Sequence, residues 1–192
     1  RIINITPIKT LIFSSYLQDS MSCNKAMSVI DSSNYTISDF IKRMSVNLVG
    51  NPILGDCLTY ACAFADLFDG NVFMIFVPDS DESNKPMHAV VEVNGSYYDS
   101  RGEVTRQQLI HDQVQTMKSE FRSYIDENNI SDLHNHISEN TVQTNSDKAK
   151  SICGFNSDLY HSIYSDIENE VLNIERGDDL TEDITRRRGP DF

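Results

Sequence analysis

The order of apolar and polar positions divides the chain into a regular central part and more polar flanks. Over residues 36 to about 49, apolar side chains recur at steps of three and four, which predicts an amphipathic helix. The next segment, GDCLTYACAFADLFDG, keeps helical spacing and predicts a mostly buried helix that begins at Cys57. Asp56 is a favourable N-cap for this helix, and Asp69 with Gly70 forms a favourable C-terminal stop.

The residues after this helix have the pattern of β-strands. The continuous apolar run VFMIFVP is rich in β-formers and predicts a buried strand. Residues 87–93 and 96–100 flank Asn94 and Gly95, a dipeptide that is the strongest short signal for a β-hairpin. The centre of the chain is therefore predicted to run helix, strand and hairpin.

The C-terminal part is more polar, and its pattern is mainly helical. Three helices are predicted there, near residues 105–118, 120–128 and 158–175. Residues 135–147 are rich in Asn, Ser and Thr and predict a loop. Residues 1–22 show no sustained period and predict no element.

Length and pattern together predict a single α+β domain. A chain of 192 residues has room for one domain of ordinary size. We expect a core over about residues 36–104, in which the buried helix that carries Cys57 packs on a small antiparallel sheet. A helical C-terminal extension should follow over about residues 105–176, and a charged tail over residues 177–192.

Charge and composition exclude several classes of function. The formal net charge of -13 argues against a general nucleic-acid binder, because contacts with phosphates require clustered Lys and Arg. The dense basic run at residues 186–188 is interpreted as part of a solvated tail. No apolar run approaches the roughly 18 residues of a membrane-spanning helix, so no membrane partner is expected. A neutral or basic protein or peptide is the expected partner.

The cysteines and histidines show no metal-binding or disulfide pattern. The four cysteines are irregularly spaced and include no CxxC pair: Cys23, Cys57, Cys62 and Cys153. Their number and spacing favour a reducing, cytoplasmic location. The tripeptide His134-Asn135-His136 is interpreted as coincidence, and the segment from Asp79 lacks the Gly and Glu of a calcium loop. We therefore expect no metal and no cofactor.

Cys57 is the strongest candidate for a reactive group. A thiol attacks a carbonyl as the thiolate, and the unpaired N–H groups and dipole of a helix N-terminus favour that anion. Cys62, five residues further along the apolar stripe, is interpreted as a core residue. For Cys57 alone, the alternative is a small residue that merely opens a buried helix.

The predicted hairpin brings a histidine and an acid to the same face. With Asn94 and Gly95 in the turn, Val90 lies opposite Asp99, and positions two apart on a strand share a face. His88 and Asp99 are therefore predicted to be diagonal neighbours, with Asp99 orienting the His88 ring. The opposite face should pack on the core through Ala89, Val91, Val93 and Tyr98.

Three segments, GDCLTYACAFADLF, HAVVEV and YYDSRG, together resemble the core of papain-like and transglutaminase-like cysteine enzymes. The chain is similar to the compact versions found in bacterial and phage proteins, over about residues 51–103. The resemblance implies Cys57 as nucleophile, His88 as general base and then acid, and Asp99 as the residue that orients His88. It also implies an oxyanion site formed by the Asn51 side chain and the Cys57 backbone N–H. The chain departs from the papain pattern in having no Trp after the Cys and a short interval between Cys and His.

These features define an enzymatic hypothesis and one alternative. The hypothesis is a thiol hydrolase or acyltransferase that acts on peptide or glutamine amide bonds through an acyl-enzyme. Peptidase, deamidase and transglutaminase differ only in substrate and acceptor, so the sequence leaves them open. The alternative is a non-catalytic protein-binding or inhibitor module that keeps the fold. The enzyme requires the N-terminus of the Cys57 helix to point at the exposed face of the 87–100 hairpin, with Cys57 next to His88.

Overall fold

A computed structural model of the chain describes residues 23–48, 50, 52, 55–76, 85–120 and 130–177. Within these ranges the chain forms seven helices: α1 (Cys23–Ser32), α2 (Ile37–Asn47), α3 (Cys57–Phe68), α4 (Arg106–Glu120), α5 (Ile130–Glu139), α6 (Ser146–Ala149) and α7 (Ser157–Arg176). It also forms five strands: β1 (Asn71–Ile75), β2 (His88–Val93), β3 (Ser96–Asp99), β4 (Gly102–Val104) and β5 (Thr141–Asn145). The fold is therefore α+β, as predicted.

The five strands form one antiparallel sheet in the order β4-β3-β2-β1-β5. In the β2–β3 hairpin, Val91 pairs with Tyr98 and Glu92 with Tyr97, which is the predicted register. Asn94 has a φ of 52° and Gly95 a φ of 88°, so both turn residues have the positive φ that a tight hairpin turn of this kind requires. The turn chemistry thus determines which hairpin residues share a face.

Helix α3 is the central buried element. It begins at Cys57, as predicted, and nearly every one of its residues is buried. Asp56 occupies the N-cap position but makes no side-chain capping hydrogen bond. The helix ends where Asp69 adopts a left-handed conformation and the Gly70 N–H donates to the Ala65 carbonyl. A Cβ at Gly70 would lie 2.5 Å from the Glu92 carbonyl oxygen, so glycine is needed where the chain passes β2 closely.

One face of the sheet packs on α3, as predicted. Ala89, Val91 and Val93 of β2 belong to the same buried cluster as most of α3, and Tyr98 of β3 packs against it. The α1, α2 and α7 helices add buried residues to this cluster from the other sides of α3, among them Ile30, Phe40 and Ile167. The helix that carries Cys57 is therefore packed between the sheet and other helices.

The other face of the sheet is not exposed, which corrects the expectation for the His88 face of the hairpin. Phe73, Ile75 and Val90 on this face form a second buried cluster with Leu109, Ile110 and Val114 of α4 and Ile137 of α5. The physical reason is visible in β1. Its apolar residues are consecutive rather than alternating, so both faces of the strand must be covered.

The C-terminal region contains more than helices. Residues 135–147, predicted as a loop, contain the end of α5, all of β5 and the beginning of α6. The prediction was wrong because β5 (TVQTN) is polar and lacks the apolar pattern of a strand. It is an edge strand that is held in the sheet by backbone pairing with β1. The short β4 was also not predicted. The helices predicted at 105–118 and 158–175 correspond to α4 and α7.

Several predictions fall on other parts of the chain. The helix expected at 120–128 lies outside the described residues except for its first position, which is the last residue of α4. Residues 1–22 and the tail from 178 onward also lie outside them. Among the residues that are described, no helix combines the length and the apolar content needed to cross a bilayer.

Candidate functional site

The three residues predicted to form the catalytic site lie at one end of the sheet. Cys57 is the first residue of α3, His88 the first of β2 and Asp99 the last of β3. Helix α3 packs directly on β2, and the β2–β3 pairing places Asp99 beside the beginning of β2. All three residues are buried, with relative exposures of 5% for Cys57 and 8% each for His88 and Asp99.

His88 interacts with both of the other residues. Its Nε2 lies 3.8 Å from the Asp99 Oδ2, which is longer than an ordinary hydrogen bond and is best described as a close charge contact. Burial lowers the pKa of His88, but its interactions with the Asp99 carboxylate and the Cys57 thiol outweigh that effect and raise the pKa to about 9. His88 is therefore held as an imidazolium at neutral pH.

Asp99 is stabilised as a carboxylate by more than His88. Burial raises its pKa, but the contact with His88 and the hydrogen bonds from Arg101 lower it to about 2. The Arg101 backbone N–H donates to Asp99 Oδ1 at 2.8 Å, and the guanidinium donates to Oδ2 from Nε at 3.0 Å and from Nη2 at 2.6 Å. The Asp99 carboxylate thus accepts several short hydrogen bonds from Arg101 and is also in contact with His88.

Arg101 is a site residue that the sequence analysis did not identify. Its Nη1 also donates to Asp112 Oδ2 of α4 at 2.5 Å, so the guanidinium joins two carboxylates. The signal in the sequence was the short β3–β4 connection, because Ser100 and Arg101 are the two residues between paired Asp99 and Gly102. An arginine two positions after an acid in such a turn can fold back onto that acid.

Cys57 is one of the residues that line a cavity. The cavity has a volume of about 370 Å³ and is lined by Gly55, Cys57, Leu58, Lys85, Pro86, Met87 and Gly154. A second, much smaller cavity of about 20 Å³ touches Cys57, Tyr60, Tyr98 and Asp99, which is space for about one water molecule. Cys57 therefore contributes to the lining of both cavities.

The other predicted site residues can be placed only in part. Asn51, the predicted side-chain donor to an oxyanion, lies outside the described residues. The Cys57 N–H belongs to the first turn of α3, where N–H groups have no acceptor inside the helix. Cys62 is fully buried and burial raises the pKa of its thiol to about 12, which fits the core position predicted for it. No group of His, Cys, Asp and Glu suited to a metal ion occurs among the described residues.

The comparisons with known proteins add no family to this description. No known protein family, no curated protein and no solved structure matches the chain. What can be concluded about this site therefore follows from the positions and charges of Cys57, His88, Asp99 and Arg101.

Proposed function

We propose that the protein is a thiol hydrolase or acyltransferase that acts on peptide or glutamine amide bonds of a protein substrate. The observation that carries the proposal is that a thiol at a helix N-terminus and a buried carboxylate both interact with one histidine. Helix α3 supplies the thiol, and the two strands of the β2–β3 hairpin supply the histidine and the carboxylate. More specifically, the proposal is that the catalytic residues follow the papain-like or transglutaminase-like order of Cys, His and Asp along the chain.

In the reacting form of the proposed enzyme, the Cys57 sulfur is a thiolate and His88 carries a proton. The Cys57 sulfur then attacks the carbonyl carbon of the amide, and the C–N bond breaks as the imidazolium protonates the leaving amine. Water, or a second amine, attacks the thioester, and His88 takes the proton of that nucleophile. Asp99 faces Nε2, so Nδ1 is the nitrogen left to exchange protons with the sulfur.

Burial and fixed charges support these roles. His88 and Asp99 are shielded from water, and their attraction is therefore screened less than that of a surface pair. The negative oxygen that forms on the substrate carbonyl would lie near the α3 N-terminus, where backbone N–H groups such as that of Cys57 can donate to it.

The second candidate function is a non-catalytic binding or inhibitor module. One observation favours it: Asp99 makes shorter contacts with Arg101 than with His88, and a carboxylate saturated by arginine orients a histidine less strongly. The two candidates differ in the reactivity of Cys57, so they can be separated without a known substrate.

The first test compares thiol alkylation in the wild type and in His88→Asn. Iodoacetamide is applied at neutral pH, and the modification rate of each cysteine peptide is followed by mass spectrometry. We expect Cys57 to react at least about tenfold faster in the wild type, because the thiolate loses its imidazolium partner in the variant. Cys153, which is exposed, serves as the reference in the same chain and should react equally in both proteins. Equal rates at Cys57 would favour the binding module.

The second test asks for the reaction itself. Wild type, Cys57→Ala and the control Cys153→Ala are each incubated with a cell lysate. New peptide termini, deamidated glutamines and new isopeptide bonds are then sought by mass spectrometry. The enzyme proposal predicts one of these products with wild type and Cys153→Ala and none with Cys57→Ala. Identical product profiles for all three proteins would contradict it.

A further inference from the structure

The cavity beside Cys57 has an unusual distribution of charge, and the inference drawn from it rests on the proposed function. Among the described residues that line it, Lys85 is the one with a charged side chain. The other described lining residues are uncharged and include Leu58, Pro86 and Met87. A mainly apolar cavity with one well-placed charge is the usual design of a site that selects a ligand group by its charge.

The stem of Lys85 is positioned by a glycine on the opposite wall. A Cβ added at Gly154 would lie 3.1 Å from Lys85 Cγ and 3.2 Å from Cε, so any larger residue would displace the side chain. Gly154 also has a φ of 98°, a conformation that favours glycine. The lysine stem therefore lies close to Gly154, and Lys85, although exposed, contributes to the lining of the cavity.

The charge of Lys85 is opposite in sign to that of the whole protein. The chain carries a formal net charge of -13, whereas the charged side chain among the described residues that line the cavity is a lysine. At physiological ionic strength, charges further away than about 8 Å are largely screened, so a group inside the cavity responds mainly to the charges close to it.

We propose that this cavity binds a carboxylate on the acyl side of the substrate, and that Lys85 is the residue that selects it. An acidic residue next to the amide bond that Cys57 attacks would place its methylene groups on Leu58 and Met87 and its carboxylate on the Lys85 ammonium. The neutral or basic surface expected of a partner for an acidic protein does not conflict with this, because the selection concerns a single side chain inside the cavity.

The test uses two small alkylating reagents of nearly the same shape. Iodoacetate carries a carboxylate and iodoacetamide does not, and with either reagent the Cys57 sulfur displaces iodide as the S–C bond forms and the C–I bond breaks. The rate constant for each reagent at the Cys57 peptide is divided by that for N-acetylcysteinamide in the same solution. The quotient of the two normalised values, iodoacetate over iodoacetamide, then measures the preference of the cavity for the anion.

The matched variants are Lys85→Met and Lys148→Met, which change the net charge equally. Lys148 is exposed on α6 and does not line the cavity. We expect the anion preference to fall about threefold in Lys85→Met, as the loss of one partly exposed charge pair implies, and to stay unchanged in Lys148→Met. High salt should reduce the preference of the wild type and have little effect on that of Lys85→Met.

The outcomes separate this inference from the proposed function. If Cys57 reacts faster than an ordinary thiol but the preference is the same in wild type and Lys85→Met, the assignment of Lys85 is wrong and the enzyme proposal stands. If a preference is present and equal in all three proteins, the His88 imidazolium attracts the anion, and Lys85 is again excluded. If Cys57 reacts with neither reagent in any of the proteins, the enzyme proposal fails as well.

Discussion

Replacing Asp99 with Asn should remove most of the pH dependence of stability between pH 6.5 and pH 9. In the native protein the pKa of His88 is about 9, whereas an unfolded histidine has a pKa of about 6.5. Folding therefore takes up a proton in this window. The resulting stability is fully present below pH 6.5 and is lost as the pH rises through about 9. The largest loss that this difference allows is about 3 kcal/mol, with a slope near 1.4 kcal/mol per pH unit.

Asp99→Asn removes the largest of the interactions that raise the pKa of His88. Without the carboxylate, burial remains and lowers the pKa of the histidine, while only Cys57 is left to raise it. Asp99→Asn also deprives Arg101 of an ion-pair partner, which destabilises the fold by a constant amount because arginine stays protonated throughout this pH range. The slope of stability with pH, rather than the stability itself, is therefore the quantity that reports the His88–Asp99 interaction.

The assay is urea unfolding at half-unit steps from pH 6 to pH 9. We expect the free energy of unfolding of the wild type to fall steadily across the window, and that of Asp99→Asn to stay nearly flat. His136→Gln, which removes an exposed histidine from α5, is the control and should keep the wild-type slope. Equal slopes in wild type and Asp99→Asn would refute the argument, because the stabilisation of the imidazolium would then not come from Asp99. Should a substrate be found, the folded variant should also turn it over orders of magnitude more slowly.

Two further predictions concern residues around the site. Arg101→Met should raise the pKa of Asp99 from about 2 toward its ordinary value. It should also destabilise the protein by about 1–2 kcal/mol near pH 6. The loss is smaller than that expected for a fully buried ion pair, because the Arg101 guanidinium is partly exposed. This deficit should shrink as the pH falls from 4 to 2 in urea titrations, because the stabilisation of ionised Asp99 in the native state is lost there. Arg106→Met is the control, because it removes hydrogen bonds to Ser138 and Thr141 and a contact with the Phe73 ring but no ion pair with Asp99. Its deficit should be constant over the same range. Gly70→Ala should destabilise the protein by about 1–3 kcal/mol at all pH values, because the new methyl group collides with the Glu92 carbonyl. An unchanged midpoint of urea unfolding would contradict this, since it would mean that the backbone moves to accommodate the methyl group.

The central elements could be predicted from the sequence because their signals are local. Helical spacing around Cys57, the left-handed stop at Asp69 and the Asn94-Gly95 turn each depend on a few neighbouring residues. A two-residue turn also determines the cross-strand register, and for this reason His88 and Asp99 could be placed on one face before any coordinates were known. The polar strand β5 could not be found in this way, because its position depends on backbone hydrogen bonds to a strand about 70 residues earlier in the chain.

The sequence by itself therefore determined the helix that presents Cys57, the hairpin register and the neighbourhood of His88 and Asp99. The tertiary structure decided what surrounds them: α4 covers the second face of the sheet, Arg101 shares the Asp99 carboxylate with His88, and Lys85 lines the cavity close to Gly154. The physical reason is the range of the interactions. Turns and helix ends are determined by short-range sterics and hydrogen bonds, whereas burial, ion pairs and cavities arise only when elements distant in the chain pack together.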